Sequence, residues 1–263
     1  MTRTLLPAIT LWRREMVRFV RQRNRVFSAI AQPALFWALF GAGFKGSFKM
    51  GGASGDTDFL EYFFPGTVVL IVLFTAIFST ISIIEDRREG FLQSVLVAPV
   101  SRAGIALGKI AGGSTLALAQ AAVFLALAPL AGIHLTVATV VAAVGALALV
   151  AFALTALGVV VAWPMNSTQG FHAVMMLVLM PMWLLSGAFF PLTGGPAWLT
   201  LLMKANPLTY GVALVRHALY EGAPTAAGTP SVAVSLGATV AFAVLAFGGA
   251  MALVGRRTQG DLQ

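Results

Sequence analysis

Residues 63–84 read FFPGTVVLIVLFTAIFSTISII, without a single charged side chain. A helix crosses the roughly 30 Å hydrocarbon layer of a bilayer in about 20 mostly apolar residues, so Phe63–Ile84 is long enough to span. Working outward, five further runs have the same character: Val26–Phe44, Gly104–Leu130, Thr136–Trp163, Phe171–Phe190 and Ser231–Val254. The fold class is therefore all-α, a polytopic membrane protein of about six transmembrane helices. Composition agrees: 59% of the chain is apolar and only 10% charged, against about 25% charged in a soluble domain. The 263 residues suit one membrane domain.

Other classes fall away on composition. The chain has no cysteine, which excludes disulfides and thiolate metal sites. The net charge is +8, but the basic residues flank apolar runs. They point to topology and anionic lipid rather than to nucleic acid, which is not an expected partner. The first long apolar run starts near Val26, too long and too late for a signal-peptide core.

Lys and Arg set the expected orientation, because they concentrate in cytoplasmic segments. With the N-terminus cytoplasmic, thirteen of the seventeen lie inside. Outside remain Lys45, Lys49, Lys204 and Arg216. Both termini are thus expected in the cytoplasm, with the chain in the inner membrane.

Residues 1–25 form a separate expected unit, an amphipathic helix on the cytoplasmic leaflet. Leu5, Ile9, Trp12, Met16 and Phe19 recur at spacings of three and four and share one face. Residues 26–263 then form the six-helix transmembrane domain. The loop Lys45–Leu60 is rich in Gly and small polar residues and reads as solvated.

The spans carry almost no chemistry. Apart from Lys109 near the start of the third, no span core holds Asp, Glu, Lys or Arg. Ion-coupled carriers need such groups along their path. There is no Gly-rich phosphate loop ending in Lys-Ser/Thr. His134, His172 and His217 lack metal-ligand spacing. No catalytic residue, cofactor or metal is expected in this chain.

The segment Glu85–Arg102, EDRREGFLQSVLVAPVSR, is different. Five consecutive charges, Glu85 to Glu89, are followed by Gly90, which allows a sharp turn. Phe91, Leu92, Val95 and Leu96 then make one apolar helix face. Pro99 stops that helix, and Arg102 marks the return to the membrane. A short helix lying across the cytoplasmic face needs a cover: lipid, the basic N-terminal helix, or a partner protein.

This segment resembles the coupling region of type-2 ATP-binding-cassette (ABC) exporter permeases. The matching residues are Glu85, Arg87, Arg88, Glu89, Gly90, Leu92, Leu96, Ala98, Pro99 and Arg102. Ala98 stands where family members often have Thr, and Gln93 where they often have a second acid. A second stretch, Leu184–Gly222, is similar to the family's outer region through Ser186, Gly187, Phe190, Pro191, Pro196 and Trp198. The match continues through Asn206, Pro207, Leu208, Thr209, Tyr210 and Arg216. Residues themselves agree: Gly194, Gly195 and Pro196 break the chain, and Asn206–Pro207 reads as a helix start. Leu208–Tyr220 is a helix that Arg216 and His217 make a poor span, so residues 191–222 are expected to form short outer or re-entrant helices.

The resemblance implies a half-transporter. Two separately encoded ATPase subunits, holding ATP and Mg, would dock on residues 85–102, with Phe91 among the contacts. A second permease copy or a homologous permease would complete the path. Phe190, Pro191, Asn206, Pro207, Tyr210 and Arg216 would form an outer cap or gate. The cargo would be amphipathic or lipid-like, such as a drug, a glycolipid or a lipid-linked glycan. Two other classes remain: an ion-gradient secondary transporter and a non-transporting membrane scaffold.

Overall fold

A computed structural model describes residues 2–21, 23–44, 59–98, 100–221 and 228–255. Its helices, in order, are α1 (Thr2–Arg21), α2 (Arg23–Phe44), α3 (Phe59–Ser79), α4 (Ile81–Arg88), α5 (Phe91–Val97) and α6 (Arg102–Leu125). They continue as α7 (Val137–Ala162), α8 (Thr168–Trp183), α9 (Ala197–Ala205), α10 (Pro207–Leu219) and α11 (Val232–Gly255). The described residues contain no strand. Five stretches are long and apolar enough to cross a membrane: Phe59–Arg88, Arg102–Leu125, Val137–Ala162, Thr168–Ala188 and Val232–Gly255. The expected span at Val26–Phe44 falls on α2, whose apolar part, Ile30–Phe44, is shorter than these.

The bundle is built around α3. Phe63, Phe64, Val68, Val69, Val72 and Leu73 are fully enclosed by α2, α6, α7 and α10. Lipid tails are as apolar as leucine, so burial from water does not drive helices together inside a bilayer; close backbone approach does. Small residues accordingly occupy the crossing of α3, α6 and α7. A Cβ on Gly113 would lie 2.6 Å from Thr155 Cγ2, and one on Gly158 would lie 2.8 Å from Thr80 Cγ2. Ser114 donates to Thr155 across the same contact, at 3.3 Å.

At the α3–α4 junction Ser79 and Thr80 donate to the carbonyls of Ala76 and Ile77, at 2.7 and 2.6 Å. Such back-bonding bends a helix without ending it. Together α3 and α4 run for 30 residues, about 45 Å at the helical rise. That exceeds the hydrocarbon thickness by about 15 Å, which is length enough for the charged end of α4 to reach beyond an apolar layer. Two arginines mark this basic end of the bundle. Arg87 donates to the carbonyls of Trp163 (2.7 Å) and Met165 (3.2 Å), just past the end of α7. Arg102 donates to Val254 at the end of α11, at 3.2 Å. Cations at helix C-termini satisfy free carbonyls and complement the helix dipole.

The N-terminal helix does not pack through its apolar face. Leu5 and Ile9 are more than half exposed, and Trp12 is exposed as well. The packed face is the small and polar one: Thr4, Ala8, Leu11 and Glu15 lie against Gly104, Gly108 and Gly112 of α6. A Cβ at Gly108 would stand 2.8 Å from Leu11 Cβ and 2.9 Å from the Ala8 carbonyl oxygen. The apolar face is left exposed, while a glycine stripe admits the helix backbone.

Gly108→Leu is therefore expected to prise α1 from α6. Overpacking such a contact costs about 1–3 kcal/mol. The thermal midpoint in detergent should fall, and trypsin should gain access to Arg13 and Arg14. Gly43→Leu, where a Cβ meets nothing within 4 Å, should change neither.

Candidate coupling surface and membrane cleft

The charged run at the end of α4 turns back on itself at Gly90. This residue is left-handed, with φ 76°, a conformation glycine adopts without penalty. The chain then re-forms as α5, making an elbow at the basic end. Leu92 points inward and is buried, and Val95 and Leu96 are half-buried against the core. The N-terminal helix covers Phe91 at the start of this face: the Arg14 guanidinium carbon stacks 3.8 Å from the Phe91 ring centroid. On the other side Arg88, Glu89, Ser94 and Val97 are exposed, and Val97 is 84% exposed. Of the ten residues expected here, Leu92 and Leu96 hold the elbow from inside, Arg87 and Arg102 cap helix ends, and Arg88 and Glu89 face outward. Pro99 lies outside the described residues.

Behind the elbow sits an ionic knot. Asp86 is fully buried. It accepts two hydrogen bonds from Arg14, at 2.8 and 2.7 Å, one from Arg18 at 3.3 Å and one from Lys109. Lys109, 4% exposed, donates also to Glu15 at 2.6 Å and to Ser82 at 3.1 Å. All three ammonium hydrogens thus have an acceptor. Arg18 closes the group on Glu85 at 2.7 Å. The hydrogen bond to Asp86 holds the Arg14 guanidinium above its ordinary pKa. Three acids (Glu15, Glu85, Asp86) meet three bases (Arg14, Arg18, Lys109), so the knot is neutral. Of these only Glu85 was expected at the coupling surface. The signal for the rest was the lone acid among the arginines of α1 and the lone cation in a span.

The opposite end is held without ion pairs between its described residues, by hydroxyls, an amide and one arginine that donate to backbone carbonyls. Here α8 runs into a single π-helical turn, Leu184–Ala188, that breaks at Gly187 (φ 77°). A broken helix inside a membrane leaves carbonyls that must find donors. The Tyr62 hydroxyl donates to the Gly187 carbonyl at 3.0 Å, and Arg216 donates to it at 3.3 Å. Asn206 donates to Met182 at 2.6 Å, and Thr209 donates to Leu185 at 3.3 Å. Asn206 also caps α10 by accepting from Leu208 N–H at 3.0 Å. Ser186, Gly187, Asn206, Thr209 and Arg216 thus come together as a staple. Pro207 opens α10 and Tyr210 donates to the Lys204 carbonyl. Pro191 is half-buried, and Phe190 projects outward.

Between the two ends lies a cleft of about 580 Å³. Its long wall is the stripe Ile71, Phe74, Thr75, Phe78, Ser79 and Ser82, residues spaced to share one helix face. Phe36 of α2 and Met176 and Met180 of α8 form its rim, and all three are exposed to the side. Glu15, Arg18 and Glu85 of the knot line one end. Phe189 lines the other, set edge-on to Phe40 and Phe63 at 5.5 Å.

Comparison with known proteins accords with this architecture. A sequence model of the ABC-2 type transporter family matches residues 8–220. The protein of Cyanophora paradoxa named transport permease ycf38 is 29% identical over 209 residues, covering 78% of this chain and 71% of that protein. Nodulation protein J of Sinorhizobium fredii is 27% identical over 261 residues, 96% of each chain. Nodulation protein J of Rhizobium meliloti is 27% identical over 255 residues, covering 95% and 93%.

The knot makes a definite prediction. Lys109→Met leaves Glu15 and Asp86 buried without their shared cation. Breaking a buried pair from one side costs about 3–5 kcal/mol, which should appear as a large drop in thermal midpoint in detergent. Adding Glu15→Met should restore much of the loss, because Asp86 keeps Arg14 and Arg18. Two losses that simply add would show that the pair is not coupled.

Proposed function

The chain belongs to the ABC-2 type transporter family and is a membrane transport permease, and from this we propose that it is the membrane-spanning subunit of an ATP-driven exporter. The observation that carries the reading is the elbow at Gly90. Its inner face is covered by the chain itself, and its outer face, Arg88, Glu89, Ser94 and Val97, is exposed. In this proposal the basic end faces the cytoplasm of the inner membrane. A separate ATPase subunit docks on that outer face, one per permease and two per complex, and carries the ATP and Mg.

A second permease, identical or homologous, closes the cleft along the exposed rim of α2 and α8. The cargo is amphipathic or lipid-like, because the cleft is walled by Phe and Met with polar groups few and scattered. ATP binding shifts the population between inward- and outward-facing arrangements, and this chain supplies no bond chemistry. The outer staple and Phe190 act as the cap through which the cargo leaves.

The elbow also refines the expected contacts. Leu92 is buried, so Leu92→Ser would loosen the fold and say little about docking. Val97→Asp and Glu89→Arg act on the bare face instead. In membranes solubilised gently with the ATPase co-expressed, each is expected to lower copurifying ATPase activity at least tenfold. The thermal midpoint of the permease should be unchanged. Full copurification and transport in the Val97→Asp/Glu89→Arg double variant would overturn docking at the elbow. A permease that never retains an ATPase would overturn the ATP-driven reading itself.

A further inference from the structure

The knot is neutral as a whole, but it does not turn a neutral face to the cleft. Two of its acids, Glu15 and Glu85, line the cleft, and only one of its bases, Arg18, does. Arg14, Asp86 and Lys109 are not part of the lining. The face toward the cleft therefore carries one surplus negative charge. Its arginine is already committed: Nη2 donates to Glu85 Oε2 at 2.7 Å and Nη1 to Asp86 Oδ1 at 3.3 Å. The Glu85 carboxylate is not fully engaged. Among the described residues its Oε1 accepts no hydrogen bond. The Glu85 side chain is 36% exposed, so the carboxylate is reachable from outside the knot.

The wall that leads away from this end is aromatic. Phe78 lies seven residues before Glu85 in the continuous stretch of α3 and α4, about 10 Å along it. Phe74, one turn further, stacks on Phe78 with ring centroids 5.6 Å apart. Ring faces attract cations and repel anions through their quadrupole. Apolar walls also lower the local dielectric, which strengthens the pull of a nearby carboxylate. An anion would meet two carboxylates, ring faces and a guanidinium already held by acids. A neutral molecule could pack on the rings, but it would leave the surplus charge uncompensated. A positive group compensates it while the rest of the molecule packs on the rings.

We infer that the cleft selects cationic amphiphiles, with Glu85 as the specificity-determining residue. The positive group meets the open Glu85 oxygen, and the apolar or ring-bearing body lies along Phe78 and Phe74. Met176 and Met180 on the rim adapt to the shape of that body without specifying it, so discrimination falls to the sign of the charge. The inference deepens the transport reading and rests on it only in naming the bound molecule as cargo.

The test uses the purified full chain in dodecyl maltoside with rhodamine B and its ethyl ester. The two share one fluorophore. At neutral pH the ester is a cation, and the free acid carries no net charge. Fluorescence anisotropy against protein concentration, at fixed detergent, gives a dissociation constant for each. At low salt the ester should bind about fivefold more tightly, the upper range for one partly exposed ion pair. Glu85→Gln should remove most of that preference, and Glu85→Asp should keep it. The added ethyl group acts alike on every variant, so dependence on Glu85 isolates the charge. If Glu85→Gln lowers the thermal midpoint, a salt titration of the unaltered protein takes its place. The preference should then shrink toward about 1 M salt, where the Debye length is about 3 Å.

Equal binding of the two dyes by the unaltered protein would overturn the inference. So would a preference that Glu85→Gln leaves unchanged, or no binding of either dye. A retained, active ATPase with no cation preference sinks this inference and spares the transport reading. A cation preference without any copurifying ATPase does the reverse.

Discussion

A carboxylate with no exposure to solvent dictates much of this architecture. Asp86 sits at the end of a long apolar helix, where an unpaired charge would cost several kcal/mol after relaxation, about the whole margin by which a small domain is stable. Its partners come from elsewhere in the chain: Arg14 and Arg18 from α1, Lys109 from α6. The charge is tolerated only when α1, α4 and α6 are assembled. Arg14 then has a second duty, because its guanidinium plane covers Phe91 of α5. The helix that neutralises the buried acid also fixes the elbow. Replacing the knot with apolar side chains of equal volume could be more stable, as buried ion pairs often are not net contributors. What the ionic version supplies is direction: each guanidinium and carboxylate accepts only one arrangement.

The two ends of the bundle therefore differ mechanically. At the basic end α1, α4, α5 and α6 are locked by multiple charge-assisted hydrogen bonds and by a glycine stripe that leaves no slack. In the proposed reading, a push on the elbow would be carried by this block. By contrast α8 is thinly held, with Val174, Met176, Leu177, Val178 and Met180 exposed along its length. Its firm attachment is at the far end, where Trp183 donates to the Gly66 carbonyl at 2.9 Å and the α10 staple grips the broken turn. Along its shaft only the face of Phe171, Met175 and Leu179 is buried, so a swing of α8 would have few contacts to break. Because it carries one rim of the cleft, a swing changes the cleft's width and leaves its long wall, on α3, in place.

Much of this was legible in the sequence where the determinants are local. Gly90 between a charged run and an apolar helix announces a turn, and the chain does turn there with a left-handed glycine. Asn206–Pro207 announces a helix start, and α10 begins at Pro207. Faces were harder. Periodicity identified the apolar side of α1, but in a bilayer the apolar side has lipid as an equal partner, and the protein contact uses the side that admits close approach. That signal was present as Gly104, Gly108 and Gly112, at spacing four on α6. The same ambiguity hid the role of Leu92, because an apolar helix face does not reveal whether it meets a partner or the chain's own core. The pairing within the knot was illegible for a different reason: Glu15, Asp86 and Lys109 are joined by contacts across 94 and 23 residues, and no local pattern encodes those distances.

The distribution of charge along the cleft bears on the source of energy. A carrier driven by an ion gradient needs a group that takes up and releases the ion at the depth where access alternates. Among the described residues that line the cleft, the ionisable ones are Glu15, Arg18 and Glu85, all at one end. Each of them is already engaged in an ion pair there. From that layer to the Phe189 cluster the wall presents hydroxyls, amides, thioethers and rings, none of which binds a proton near neutral pH. A relay would have to begin by breaking the knot that holds the elbow, and it would find no station beyond it. Work delivered mechanically through α5 meets no such obstacle. In the proposed ATP-driven reading it would enter through the block of α1, α4, α5 and α6, which touches the cleft at its ionic end, and would act on helices rather than on charges.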